Sequence, residues 1–272
     1  MKIVVPGKWI LTGEHAVVRN APAIVFPLLS RTLTLEERVG HQAIESPLQE
    51  ALKKIELTFD NNLKLSHLHL SSDIPLCAGL GSSAALSVAV ARYLKENQLI
   101  FDDEVLEKAL EFENIFHGTS SGLDLAAVVA NGPIFFRKGS LPAPLELAWT
   151  PKIFLHDTGT RSSTKECVEH VVMQNREDLD QLMMLSVETA RMALRLSEAD
   201  GISVLQDSIL TAAKCFHEWQ LMNPESIDLE QKLYAAGALA VKPTGSGNGG
   251  FLLSLWNNDP PEEFAQMPTF RK

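Results

Sequence analysis

A glycine-rich segment that stands directly before an apolar run has the residue types needed to bind phosphate. The segment is Gly79-Leu80-Gly81-Ser82-Ser83-Ala84, and the run from Ala84 to Ala91 predicts a buried helix that Ser82 and Ser83 cap with their hydroxyls. Glycines let a backbone approach a ligand closely, and the first turn of a helix offers unpaired N–H groups and a positive dipole end. We therefore expect an anion site, although a glycine turn with an N-cap would give the same pattern.

A second glycine-rich segment, Thr244-Gly245-Ser246-Gly247-Asn248-Gly249-Gly250, lies between two predicted strands. Its four glycines within six residues exceed what a hairpin turn needs, although a hairpin remains the simpler alternative. Neither segment is a P-loop, and the first lacks the directly preceding strand of a dinucleotide fingerprint, which argues against a nicotinamide oxidoreductase. Two such loops in one acidic chain favour a nucleotide or another phosphorylated ligand.

Three charged residues occupy positions that are unusual for charge. Glu113 falls inside the apolar arc of a helix predicted from Asp103 to His117, so it should have a basic partner or a metal, or else reach sideways to solvent. Asp124 follows Ser121 by three residues, as in a capping box, but its small polar neighbours would also let it face a cavity. Lys8 stands between apolar residues, where a lysine either extends its ammonium to solvent or does chemistry.

The composition of the chain limits the classes of function in which these charged residues can take part. The chain has 272 residues, enough for about two domains. Its net charge of −10 argues against general binding to nucleic acid or to an anionic membrane. Three widely spaced cysteines predict a reduced, cytoplasmic setting without a disulfide framework or a zinc ribbon. The longest near-apolar stretch is too short to span a bilayer.

The elements that would position the charged residues predict an α+β fold, because strands and helices mix in both halves without regular βαβ alternation. A proline-rich stretch near 145–151 divides the chain into domains 1–148 and 149–272. The first half is expected to hold strands at 2–5, 21–29, 32–36, 63–70 and 134–136, a short helix within 41–62, and helices at 82–97, 102–117 and 121–131. The second half is expected to hold strands at 152–156, 238–241 and 251–256 and helices beginning at 163, 177, 204 and 228.

Together, these segments resemble the GHMP kinase superfamily, and within it most closely the mevalonate kinases. Lys8 with Gly13-Glu14-His15-Ala16-Val17-Val18 is similar to the N-terminal motif of the mevalonate kinases, and 75–85 is similar to the superfamily's phosphate-binding motif. Glu113 followed by 117–124 resembles the segment that carries a metal ligand and the catalytic base. The segments 157–164 and 242–247 resemble motifs of the C-terminal domain.

The resemblance implies a two-domain GHMP kinase fold, with an N-terminal domain of the ribosomal protein S5 domain 2 type and a ferredoxin-like C-terminal domain. It also implies ATP and Mg²⁺ as cofactors. By motif, the ATP phosphates would be bound by Gly79, Leu80, Gly81, Ser82 and Ser83, with Gly245 and Gly247 shaping the floor of the cleft. Mg²⁺ would be held by Ser83 and Glu113, the acceptor's proton would be taken by Asp124 beside Lys8, and the acceptor would be contacted by Glu14, His15 and Ser121.

The implied reaction is phosphoryl transfer from ATP to a hydroxyl of a small hydroxy acid. Mevalonate is the first expectation, giving 5-phosphomevalonate for isoprenoid precursor synthesis. Leu125 stands where mevalonate kinases usually carry Asn, so a phosphomevalonate or sugar kinase stays open, as does a non-catalytic nucleotide-binding homologue. The expected partner is the small-molecule hydroxy-acid substrate, with no nucleic acid and no membrane, and a homodimer is left open.

Overall fold

An antiparallel sheet forms the base of the first half of the chain. The computed structural model describes residues 1–37, 46–59, 64–65, 67–117, 122–130 and 132–270. Strand β1 (Lys2–Thr12) pairs with the long strand β2 (Pro22–Glu37). β2 also pairs with β3 (Leu68–Ser72) and β4 (Ile134–Arg137), and β4 pairs with β5 (Ala143–Pro144).

Helices cover this sheet. They are α1 (Pro47–Phe59), α2 (Ser82–Glu96), α3 (Val105–His117) and α4 (Leu123–Ala130), with short 3-10 turns at Ala16–Arg19 and Asp102–Glu104. Residues 84–91 of α2 are buried on every side because the helix packs against β1, β2, α3 and α4 at once. This central position explains the uninterrupted apolar run and fixes the start of α2 next to β1.

The second half begins with β6 (Lys152–Asp157) and continues through four helices to two more strands. The helices are α5 (Thr164–Gln174), α6 (Glu177–Ala193), α7 (Glu198–Glu218) and α8 (Pro224–Ala235), and the strands are β7 (Ala240–Thr244) and β8 (Phe251–Trp256). The strands form an antiparallel sheet in the order β6-β8-β7. A last 3-10 turn lies at Glu262–Phe264.

One continuous apolar core joins the two halves. A single cluster of buried side chains contains Val5 and Leu11 of β1 together with Val187 of α6, Leu205 of α7 and Leu253 of β8. A shared core of this kind holds β1 firmly against the second half. The division into domains 1–148 and 149–272 stays a prediction.

The predicted α+β class is confirmed, and several predicted boundaries change. The two strands expected at 21–29 and 32–36 are a single strand, β2. The strand expected at 63–70 begins only at Leu68, and residues 60–63 and 66 lie outside the described residues. The helix expected from 204 begins at Glu198, and the strand expected at 238–241 runs from Ala240 to Thr244. Within the described part of the chain, no helix combines the length and the apolar character needed to cross a bilayer.

Candidate active site

Lys8 and Asp124 form a partly buried ion pair where β1 meets the start of α4. The Lys8 Nζ atom lies 2.8 Å from Asp124 Oδ1, and 3% of the Lys8 side chain is exposed against 34% of that of Asp124. Asp124 is the second residue of α4, where the helix dipole favours a carboxylate. The ammonium is therefore held inside the protein while the carboxylate stays reachable from solvent.

A bulge in β1 places Lys8 beside the first glycine-rich segment. The pairing of β1 with β2 shifts register between Pro6 and Gly7, and the Lys8 N–H then donates to the Leu80 carbonyl at 2.9 Å. Gly81 has a φ of +76°, and a Cβ there would lie 2.7 Å from Lys8 Cγ. A glycine at 81 is therefore required by the lysine stem as well as by the turn.

The start of α2 offers its N–H groups without a side-chain cap. Gly81 occupies the N-cap position in the left-handed conformation, and no side-chain hydrogen bond caps the helix. The expectation that Ser82 and Ser83 supply capping hydroxyls is therefore wrong, because both are already inside the helix. An uncapped first turn with a glycine before it is the geometry that binds an anion such as phosphate.

Glu113 is buried and bound by serine hydroxyls of α2. Ser83 Oγ donates to Glu113 Oε1 at 2.9 Å, and Ser87 Oγ donates to Oε2 at 3.1 Å. Glu113 is 3% exposed, so it does not reach sideways to solvent. Sequence reasoning missed Ser87, whose signal is that it alone is polar between Ala84 and Ala91.

The donor set around Glu113 fits Mg²⁺. Mg²⁺ prefers oxygen ligands and usually takes one or two from the protein while phosphates and water supply the rest. The Ser83 hydroxyl and the Glu113 carboxylate are such oxygens, and they lie at the uncapped start of α2. No group of three or more His, Cys, Asp or Glu that could hold a metal ion occurs among the described residues. The remaining ligands of a cation bound by Ser83 and Glu113 would come from nucleotide phosphates and water.

The second glycine-rich segment, between β7 and β8, packs directly on the first. A Cβ on Gly79 would lie 3.0 Å from the Thr244 carbonyl oxygen, and one on Gly245 would lie 3.2 Å from Gly79 Cα. Thr244 Oγ1 also bonds to both the N–H and the carbonyl of Ile10 in β1, at 2.9 and 3.0 Å. The two loops and β1 thus meet in one place.

Gly247 packs against Phe216 and Leu221 at the end of α7. A Cβ at this position would lie 2.8 Å from the Leu221 carbonyl oxygen, and the Gly247 carbonyl accepts a hydrogen bond from Ser162 Oγ at 2.7 Å. Gly247 is therefore held between the end of α7 and the loop before α5. Its predicted role in shaping the cleft floor stays a prediction.

Glu14 is bound inside the protein to a lysine of the second half. Lys242 Nζ lies 2.5 Å from Glu14 Oε1, and the two side chains are 0% and 2% exposed. Burial raises the pKa of Glu14 and lowers that of Lys242, while the attraction between them opposes both shifts. The sequence indicated Lys242 only as part of a C-terminal-domain motif. Its position between Val241 and Pro243, directly after a predicted apolar strand, is the feature that could have identified it as a buried lysine.

His15 is also buried against the second half. Its Nε2 donates to the Ser246 carbonyl at 3.0 Å, and its ring packs edge-on to Phe216 and Trp219. Burial lowers the pKa of His15 to about 4, so the ring is neutral at pH 7. The predicted contacts of Glu14 and His15 with an acceptor stay predictions, and Ser121 lies outside the described residues.

Comparisons with known proteins find a matching family model and similar curated proteins. Residues 46–132 match the family model described as GHMP kinases N terminal domain. A curated mevalonate kinase of Aeropyrum pernix is 28% identical over 294 residues, covering 94% of this chain and 89% of that protein.

Solved structures share the fold over nearly the whole chain. The crystal structure of L. major mevalonate kinase in complex with R-mevalonate has a TM-score of 0.75 and 25% identity, covering 95% of this chain and 87% of that one. Phosphomevalonate kinase of Streptococcus pneumoniae has a TM-score of 0.72 at 14% identity, covering 95% of this chain and 92% of that one. That second likeness bears on the fold alone.

Proposed function

We propose that this chain, whose residues 46–132 match the GHMP kinase N-terminal domain and whose fold matches that of mevalonate kinase structures, transfers the γ-phosphoryl group of ATP to a hydroxyl of mevalonate. The observation that carries the proposal is the Lys8–Asp124 pair, held at 2.8 Å beside the uncapped start of α2. An acid–base group and an anion site are thereby adjacent. Phosphoryl transfer depends mainly on positioning and charge neutralisation, which this arrangement supplies.

Each side chain has a distinct task in the proposed reaction. The Asp124 carboxylate accepts the proton of the acceptor hydroxyl as that oxygen attacks phosphorus. The Lys8 ammonium places positive charge beside the reacting oxygens, where negative charge develops in the transition state. Lys8 is buried with its stem against Gly81 and its ammonium 2.8 Å from Asp124, so this charge is already in place before the reaction.

The start of α2 binds the donor in this proposal. Backbone N–H groups from Gly79 to Ser83 contact the phosphates, and the contact between Gly79 and Gly245 fixes the width of the loop. Mg²⁺, when bound, neutralises phosphate charge, and Ser83 and Glu113 are the residues that would hold it.

Mevalonate is favoured as acceptor over phosphomevalonate. The Aeropyrum pernix relative carries the name mevalonate kinase, and the L. major structure was solved with R-mevalonate. An acceptor that already carries a phosphate would need additional free cations near Asp124. Arg161 of the second half is not a free cation, because its guanidinium bonds both oxygens of Asp157 at 2.6 and 2.8 Å.

The acceptor is identified by measuring ADP release from Mg-ATP with mevalonate, phosphomevalonate, homoserine, galactose and no acceptor. Turnover with mevalonate alone supports the proposal. Turnover only with another acceptor contradicts it, and ATP binding without turnover on any acceptor favours a non-catalytic homologue.

We further propose a cytoplasmic location, because Cys77, Cys167 and Cys215 are all free thiols.

A further inference from the structure

Ser87 is a polar residue that the packing of α2 does not explain. It is 0% exposed and lies in the middle of a helix whose other residues from Ala84 to Ala91 are apolar. A serine inside a helix gives no helix propensity advantage over alanine, and a buried hydroxyl is unfavourable unless it is hydrogen-bonded. Its hydroxyl meets that requirement at Glu113, across the contact between α2 and α3.

Ser83 and Ser87 together fix the plane of one carboxylate. Residues four apart lie on the same face of a helix, one turn above the other. Ser83 therefore reaches Glu113 Oε1 at 2.9 Å while Ser87 reaches Oε2 at 3.1 Å. The terminal torsion of a glutamate is broad, so hydrogen bonds to both carboxylate oxygens restrict its rotation more than a bond to one oxygen does.

We propose that Ser87 is a positioning residue that orients Glu113 for the divalent cation that accompanies the nucleotide. The inference rests on the proposed function, since it assumes that Mg-ATP binds at the start of α2. Groups that hold a metal-binding carboxylate in place typically change metal affinity by 10- to 100-fold when they are removed. Ser87 has this place in the structure: it contacts Glu113 and lies one helical turn further from the uncapped start than Ser83.

The test measures cation affinity separately from turnover. Isothermal titration gives the affinity for ATP in EDTA and in Mg²⁺, and a Mg²⁺ titration at fixed ATP gives the half-saturating Mg²⁺ concentration. For Ser87→Ala we expect that concentration to rise about 10-fold, while the affinity for metal-free ATP changes by less than about 2-fold. Ser87→Thr retains the hydroxyl and should stay close to the parent protein.

Matched variants separate positioning from packing. Ser208→Ala removes another fully buried helical hydroxyl, which lies in α7 and donates to the Ser186 carbonyl of α6 at 2.8 Å, and should leave the Mg²⁺ dependence unchanged. Ser87→Cys keeps the size of the side chain and weakens the donor, so it replaces Ser87→Ala if thermal denaturation shows that the alanine variant is unfolded. In the Glu113→Gln background, Ser87→Ala should add little further effect on Mg²⁺.

The outcomes distinguish the inference from the proposed function. If the parent protein binds no Mg-ATP, the proposed function fails. If it binds Mg-ATP and the folded Ser87 variants show the same half-saturating Mg²⁺ concentration, the positioning role fails. An equal loss of affinity for ATP with and without Mg²⁺ would also overturn it, because that result indicates general distortion of α2.

Discussion

The buried ion pair between Glu14 and Lys242 predicts a large effect of mutation on stability. Both side chains are almost completely buried, at 2% and 0% exposed, and they join the loop after β1 to strand β7. Removing one member leaves the other charge in a medium of low dielectric constant, which typically costs about 3–5 kcal/mol. We expect Lys242→Met to lower the free energy of unfolding by that amount, because Glu14 is left buried without the ammonium that compensates for its burial.

The double variant should recover most of the loss. Glu14→Gln with Lys242→Met leaves no buried charge, and replacing a buried ion pair by neutral groups of similar volume is often close to neutral. The coupling energy in the double-mutant cycle should therefore exceed about 2 kcal/mol, within the range measured for residues in contact. Pro243 also accepts a hydrogen bond from the Lys242 ammonium at 2.5 Å, and this bond is not recovered.

The assay is urea unfolding followed by tryptophan fluorescence, with an exposed pair as control. Lys232 and Asp228 form an i,i+4 pair at 2.6 Å with side chains 62% and 63% exposed, so Lys232→Met should change stability by less than about 0.5 kcal/mol. A loss below about 1 kcal/mol for Lys242→Met would refute the reasoning on buried charge. So would a double variant no more stable than the less stable single variant.

Two further predictions concern loop packing and pH. Gly245→Ala places a Cβ 3.2 Å from Gly79 Cα and should weaken Mg-ATP binding at least about 10-fold in a titration. Gly139→Ala meets nothing within 4 Å and should lose only about 1 kcal/mol of stability through its positive φ, with unchanged binding. Burial lowers the pKa of His156 to about 4, below its unfolded value of 6.5, so the unfolded state binds the extra proton and stability falls as the pH drops from 6.5 towards 4. The loss of stability is up to about 3 kcal/mol. The urea midpoint should fall between pH 7.5 and pH 5.0, and it should fall less in His156→Gln than in the parent protein. An equal fall in the two proteins would contradict the assignment to His156.

Local pattern predicted the helices better than the strands. The apolar run of α2 and the periodicity of the second half identified their helices, because those signals lie within one segment. β2 was expected to break between 29 and 32, yet it continues through the interruption. Its pairing with β1 passes from Leu28 opposite Gly7 to Thr32 opposite Pro6, and the residues between them are absorbed in an irregularity. Pairing with β1, and not the local sequence pattern, therefore determines that β2 is a single strand.

The sequence identified the unusual charges but not their partners. Lys8 was expected to reach solvent or do chemistry, and its ion pair with Asp124 joins positions 116 residues apart. Glu113 was expected to have a base or a metal, and serine hydroxyls of α2 bind it in the described structure. Lys242 lies 228 positions from Glu14. These pairs form through tertiary packing, so the spacing of residues along the sequence does not identify the partners.

The most direct test of the central claim is single-turnover transfer of labelled γ-phosphate from ATP to mevalonate by the parent protein and by Asp124→Asn. Asp124 is 34% exposed, and asparagine keeps a side-chain oxygen that can accept a hydrogen bond from the Lys8 ammonium, so we expect the variant to fold and to bind Mg-ATP. We predict that the label moves to mevalonate with the parent protein and at least about 100-fold more slowly with the variant. Near-parental transfer by Asp124→Asn, with equal Mg-ATP affinity, would contradict the assignment of this carboxylate as the base.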